Sequence, residues 1–95
     1  MGLPVQHQDR SGGGVFFIDE GGVRVAEMTY QRLADGQILI DHTFVDPKLR
    51  GGGVARGLLD AAVAWARANG IRISASCSYV ILQFARDRSL RDVQA

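Results

Sequence analysis

Cysteine is nearly absent from the sequence. Cys77 is the one example in 95 residues, so no internal disulfide framework braces the chain, and the count points to a reducing compartment. No apolar run approaches the ~20 residues that a membrane-crossing helix needs. The opening residues MGLPVQHQD lack the charged-then-apolar order of a secretory leader. The expectation is therefore a cytoplasmic protein with no membrane partner. Charge of one sign is missing too: eleven basic against ten acidic side chains leave a formal +1, without the basic excess that marks a nucleic-acid binder. His7, His42 and Cys77 lie far apart in sequence and make no metal-ligand set.

What is present reads as one small globular domain. The 46% hydrophobic fraction is ordinary for a soluble fold, and a chain of this size buries roughly 60–70% of its unfolded surface. Residues 1–13 are polar and read as a flexible lead-in to a domain over 14–95. Val15 to Ile18 reads as a first strand, and Asp19-Glu20-Gly21-Gly22 supplies a hairpin turn. Val23 to Tyr30 forms a second strand, Ala34-Asp35-Gly36 another turn, and Gln37 to Val45 a third strand. The period then changes. Val54, Leu58, Ala61, Ala62 and Trp65 fall on one stripe of a helix that Asn69-Gly70 ends. A fourth strand follows over 71–76. A short helix then starts at Ser76 or Ser78 and runs through Ala85, with Val80, Ile81 and Phe84 inward. The tail from Arg86 reads as mostly irregular. The order is β-β-β-α-β-α, an α+β fold with helices packed on a sheet.

Three consecutive glycines, Gly51, Gly52 and Gly53, stand between Arg50 and this first helix. A turn alone needs fewer. At a helix start up to four backbone N–H groups lack partners, and with the helix dipole they form an anion site. Glycines let phosphate oxygens approach that backbone, Asp46-Pro47 sets the exit from the strand, and Arg50 adds a planar cationic donor array. The pattern GxxxxGK[ST] is absent, and GxGxxG fails because position 56 is arginine. The spacing Arg50-x-x-Gly53-x-Ala55 is similar to the R/Q-x-x-G-x-G/A motif of the GNAT superfamily of N-acetyltransferases.

The resemblance extends over residues 14–93. AEMTY, DHTFV, LRGGGVARGLLDAAVAWARANG and SCSYV occur in this order and resemble a short, single-domain GNAT-like branch that lacks the usual N-terminal helices. The resemblance implies that acetyl-CoA lies between the third and fourth strands. Its pyrophosphate would sit on Arg50, Gly51, Gly52, Gly53, Val54, Ala55 and Arg56, and its acetyl carbonyl would meet backbone near Val45. The function implied is acetyl transfer from acetyl-CoA to an unidentified amine, small molecule or protein. The alternative is a non-catalytic CoA or acyl-CoA module acting through a protein partner. A monomer or a weak homodimer is expected.

Three side chains are candidates for the chemistry. Cys77 is either an inert small hydrophobe or, at a helix start that favours thiolate, a nucleophile for acetyl or a proton donor to departing CoA; the resemblance puts a cysteine at this place, facing the acetyl group. His42 matches the histidine of the family's HT pair and is either a base or a structural hydrogen-bonding group. Tyr79 either protonates the CoA thiolate, as the resemblance implies, or packs against the sheet. Members of the family often carry an acidic residue after the HT pair, where this chain has Phe44. Trp65 and the Glu27–Tyr30 strand read as core and solvated face, and His7 as incidental.

Overall fold

The computed structural model describes residues 4–95. Five strands form one sheet in sequence order: β1 (Gln6–Arg10), β2 (Gly13–Glu20), β3 (Val23–Arg32), β4 (Ile38–Val45) and β5 (Ile73–Ala75). The first four are antiparallel neighbours, and β5 lies parallel to β4. Parallel pairing requires a crossover, which helix α1 (Val54–Asn69) supplies; helix α2 (Ser78–Arg86) follows β5.

β3 and β4 bury alternate residues, one face of each strand, and β2 buries Phe16, Phe17 and Ile18 in a row. Phe16, Ile18, Ala26, Met28, Tyr30, Ile38 and Ile40 supply the sheet side of the core. α1 answers with Leu58, Leu59, Ala62, Val63 and Ala66. This stripe is rotated from the one expected: Leu58 and Ala62 are central, whereas Val54, Ala61 and Trp65 are its partly buried flank. Gly70, in the left-handed region at φ 65°, closes the helix with its N–H on the Ala66 carbonyl.

The order is thus β-β-β-β-α-β-α, and the reading of the whole of residues 1–13 as a lead-in is corrected. Residues 1–3 lie outside the described residues, but 6–10 are β1. The segment QHQDR has no apolar alternation, yet His7 turns inward and stacks on Phe16 with ring centroids 3.9 Å apart. Its Nε2 lies 2.7 Å from Tyr30 Oη, which donates to Asp9 at 2.7 Å. His7 is therefore a packing and hydrogen-bonding residue.

Two further expectations change. The fourth predicted strand shrinks to Ile73–Ala75 because the chain bends away after Ala75. The tail is ordered as a 3-10 helix over Arg88–Val93 whose Leu90 and Val93 are buried in the main core.

β4 carries an irregularity that matters for the site. Thr29 pairs with His42 and Tyr30 with Ile40, so Asp41 is an extra residue on β4. This bulge shifts the alternation. Ile40, Thr43 and Val45 face α1, and His42 and Phe44 face the opposite side.

Candidate active site

The loop after β4 is built by local chemistry. Asp46 accepts from the backbone N–H of Lys48 at 2.9 Å, and Pro47 opens a single 3-10 turn, Pro47–Leu49. Gly51 and Gly53 then take φ of 85° and 79°, a left-handed backbone that L side chains adopt only with strain. Gly53 is the N-cap of α1 and offers no side chain to its own helix. Gly57 N–H reaches the Gly53 carbonyl at 3.0 Å, so the N–H groups of Val54, Ala55 and Arg56 precede the first intrahelical bond and are available to an anion. A Cβ built on Gly51 or Gly53 meets nothing within 4 Å. The space above this backbone is open.

That space is a cleft of about 270 Å³ lined by Val45, Leu49, Arg50, Gly51, Gly53, Val54, Ala55, Arg56 and Tyr79. Arg50 is exposed and anchored through Nε, which donates to the Val45 carbonyl at 3.1 Å. Its two terminal nitrogens make no ion pair among the described residues.

Beside the cleft the sheet separates. β5 pairs with β4 only at Ile38, Leu39 and Ile40, and the N–H groups of Ser76 and Cys77 then converge on the Ile40 carbonyl at 3.0 and 3.3 Å. Beyond this point β4 has no strand on that side. Asp46 N–H bonds the Val25 carbonyl, and the antiparallel alternation therefore turns the backbone groups of Thr43 and Val45 away from β3, into the gap. The cleft and the gap are continuous at Val45. A ligand with an anionic end and an extended amide chain fits this combination.

A family profile described as GCN5-related N-acetyl-transferase matches residues 15–93. The chain belongs to this family. No curated protein sequence matches it. The chain is 38% identical to a GCN5-like protein from Staphylococcus aureus solved in solution by NMR, with a TM-score of 0.75, covering 98% of this chain and 88% of the other. Two larger acetyltransferases share the fold. The aminoglycoside N-acetyltransferase AAC(6')-Iy in complex with CoA has a TM-score of 0.59 at 20% identity, covering 86% of this chain and 60% of that one. A Bacillus anthracis acetyltransferase in complex with acetyl coenzyme A has a TM-score of 0.61 at 16% identity, covering 80% and 46%.

Within this family member the residues expected from the sequence divide by location. Val45, Arg50, Gly51, Gly53, Val54, Ala55, Arg56 and Tyr79 all line the cleft. Gly52 does not; its φ is not positive, and a Cβ there would meet only the Leu49 carbonyl at 3.5 Å. Leu49, which sequence reasoning missed, supplies apolar wall.

Arg56 contributes its backbone N–H, but its guanidinium is engaged elsewhere. It donates to Asp60 at 2.9 Å, to Gln83 at 2.8 Å and to Asp87 at 2.5 Å. These bonds clamp the first turn of α1 to α2. Asp87, held by the Ser89 hydroxyl and then by Arg56, has its carboxyl lowered to about 2.

Tyr79 stands in the second residue of α2. Burial raises its hydroxyl above the ordinary value, against a smaller opposing pull from Arg56, so it carries its proton at neutral pH. Cys77 is the N-cap of α2, with no serine side chain capping that helix. Half-buried, it lies with Sγ 3.1 Å from Thr43 Oγ1. Thr43 was missed because its partner is 34 residues away; the alternation of β4, once the bulge is known, would have placed it inward.

His42 does not join Cys77 and Tyr79. One residue before Thr43 on the strand, it projects from the other face, mostly exposed, with Nε2 3.5 Å from Glu27 Oε2. The candidate chemistry is thus distributed on both sides of the gap.

Proposed function

We propose that the protein binds acetyl-CoA and transfers its acetyl group to an amine. The observation that carries this reading is the continuity of the Gly51–Arg56 anion cradle with the unpaired edge of β4. The pyrophosphate of the cosubstrate would take the N–H groups of Val54, Ala55 and Arg56, with Arg50 completing the cradle. The chain leading to the thioester would run along the backbone of Val45 and Thr43. N–H donors at this edge polarise the thioester carbonyl as an amine nitrogen attacks its carbon. The carbon–sulfur bond breaks, and Tyr79 protonates the departing thiolate. CoA complexes of larger acetyltransferases with the same fold support this assignment.

Titration calorimetry with acetyl-CoA tests the cradle. Arg50→Ala removes a charge-assisted contact worth about 1.5–3 kcal/mol; exposure favours the lower figure, about tenfold in affinity. Because its side chain makes only the bond to the Val45 carbonyl among the described residues, the melting temperature should stay the same. No saturable binding, or an Arg50→Ala variant of unchanged affinity, refutes the reading.

The Thr43–Cys77 contact favours a second route in which the Cys77 sulfur first takes the acetyl group as a thioester. Intact mass after incubation with acetyl-CoA decides between them: a gain of one acetyl, absent in Cys77→Ala, belongs to the covalent route. A protein that binds acetyl-CoA and acetylates no amine is the CoA-binding module instead.

A further inference from the structure

The sequence pattern places Ile81 on the inner side of α2, and the structure turns it out. Ile81 is 50% exposed and its neighbour Leu82 45%, while Val80 and Phe84 pack on the core. Ile81 and Ala85 of this uncovered helix face wall one side of a groove of about 430 Å³. Ile73 and Ala75 of β5, Phe84 and Gln94 complete it.

β5 is the last strand of the sheet, and the groove runs along its outer edge. Ile38 N–H bonds the Arg72 carbonyl and Ser76 N–H bonds the Ile40 carbonyl. Arg72, Ser74 and Ser76 therefore turn their backbone groups toward β4, and Ile73 and Ala75 turn theirs outward. The outward groups of Ile73 are engaged, because Ala95 N–H donates to its carbonyl at 2.9 Å and Gln94 lies beside it in parallel. The N–H and C=O of Ala75 have no partner among the described residues. The edge holds one extended segment and leaves the next position open.

The rim of the groove is basic. Residues 71–95 contain four arginines and two aspartates, and both aspartates are taken, Asp87 by Arg56 and Asp92 by Arg67. Arg86, Arg88 and Arg91 make no ion pair among the described residues. Side chains three apart eclipse one another on a 3-10 helix. Arg88 and Arg91 accordingly stand in line with Gln94, while Leu90 and Val93 form the buried ridge. Arg72 reaches the same place, with Nη1 3.4 Å from the Gln94 carbonyl.

We propose that this groove binds an extended acidic peptide of a partner protein, added as a strand along the outer edge of β5. Its backbone meets Ala75, its apolar residues meet Ile81 and Ala85, and its carboxylates meet Arg86, Arg88 and Arg91. Main-chain bonds supply affinity in such an addition, and side-chain contacts supply selectivity. The proposal goes beyond acetyl transfer, since none of these residues lines the Gly51–Arg56 cleft. Four arginines without a carboxylate partner fix the sign of the partner's charge. A lipid bilayer would satisfy those arginines, but its apolar region offers no hydrogen bond to Ala75. A second copy offers its other outer strand, β1, and QHQDR has no apolar residue for Ile81.

The test is fluorescence anisotropy of the full chain with a short, capped, labelled peptide that alternates glutamate and valine. Saturable binding is expected, and it should weaken as salt rises. Ile81→Ser should weaken it about fivefold, and Arg88→Glu combined with Arg91→Glu at least about tenfold. The same peptide N-methylated at alternate residues should not bind, because strand addition needs its amide hydrogens. These side chains are exposed, so the melting temperature and the acetyl-CoA affinity should match wild type. Ala85→Glu, which sets a carboxylate in the groove, repeats the loss where Ile81→Ser melts lower. The proposal is overturned by wild-type protein that does not bind the peptide, by equal affinity for a lysine–valine counterpart, by variants within twofold of wild type, or by an N-methylated peptide that binds as well. Phosphatidylserine vesicles bound through Ile81 and Arg88 in place of the peptide would give the surface to a membrane. A sedimenting dimer lost in Ile81→Ser would give it to a second copy, and either result overturns the proposal.

Discussion

Replacing each of the three consecutive glycines by alanine should set Gly52 apart from Gly51 and Gly53 in stability and set Gly53 apart from Gly52 in binding. Gly51 and Gly53 have φ of 85° and 79°, with no atom within 4 Å of an added Cβ. The whole stability penalty is therefore backbone strain, with no collision to relieve. A left-handed residue with a Cβ costs about 1–2 kcal/mol, and a domain of this size loses about 4–8 °C in Tm per kcal/mol. Gly51→Ala and Gly53→Ala should each melt about 4–16 °C lower. Gly52 is under no such constraint, and a Cβ there makes an ordinary contact at 3.5 Å with the Leu49 carbonyl. Gly52→Ala should be neutral, or up to about 1 kcal/mol more stable through reduced freedom of the unfolded chain. Binding divides the set again. The new methyl at Gly53 projects into the space proposed for phosphate and should weaken acetyl-CoA further, whereas Gly52→Ala should bind as wild type. Thermal unfolding by circular dichroism and calorimetric titration read the two effects. Equal effects at all three positions would refute the argument, because the positive φ of Gly51 and Gly53 would then carry no penalty of its own.

Two pH predictions follow from groups remote from each other. Burial, set against a smaller opposing pull from Asp9, lowers the pKa of His7 from 6.5, so the unfolded chain binds its proton first as pH falls. Stability should be complete above 6.5 and decline below it; His7→Phe, which keeps the stack on Phe16, should remove that decline in pH-dependent denaturant melts. Asp87 is the opposite kind of group, an acid lowered from 3.8 to about 2 by Ser89 and Arg56. Its contribution is present above 3.8 and is lost as pH falls toward 2, so Asp87→Asn should flatten the acid limb of the stability profile in that interval. An unchanged acid limb would mean that the clamp on Arg56 adds nothing to folding.

The parts of the fold that were legible in the sequence are those where one rule acts at a time. Val15–Ile18, the Asp35-Gly36 turn and the Asn69-Gly70 stop each follow from a short apolar run or from backbone freedom, and the structure places them as expected. The loop that lines the cleft was legible for the same reason: Arg50, Gly51, Gly53 and the helix start are contiguous, so no tertiary knowledge is needed to assemble them. β1 was not legible, because its inward residues are His7 and Asp9, and their partners Phe16, Tyr30 and Arg32 are distant in sequence. The bulge at Asp41 was equally hidden. Nothing in ILIDHTFV signals an extra residue, yet it decides that His42 and Cys77 stand on opposite sides of the sheet. For Arg56 the backbone position was legible and the destination of the side chain was not. Proximity to the glycines suggested a ligand contact, whereas Asp60, Gln83 and Asp87 occupy its guanidinium.

The divided sheet has a consequence for how the protein behaves in a crowded solution. β4 is an interior strand through Ile40 and an edge strand from Asp41 to Val45, where only the Val45 carbonyl is taken, by Arg50, and such an edge is a template for any passing extended chain. The ligand-free molecule therefore presents the same surface that would receive its cosubstrate to copies of itself. An extended molecule lying in the gap would act as the missing strand. Seen this way, a ligand in the gap would also guard against self-association, because the exposure of that edge falls as its occupancy rises.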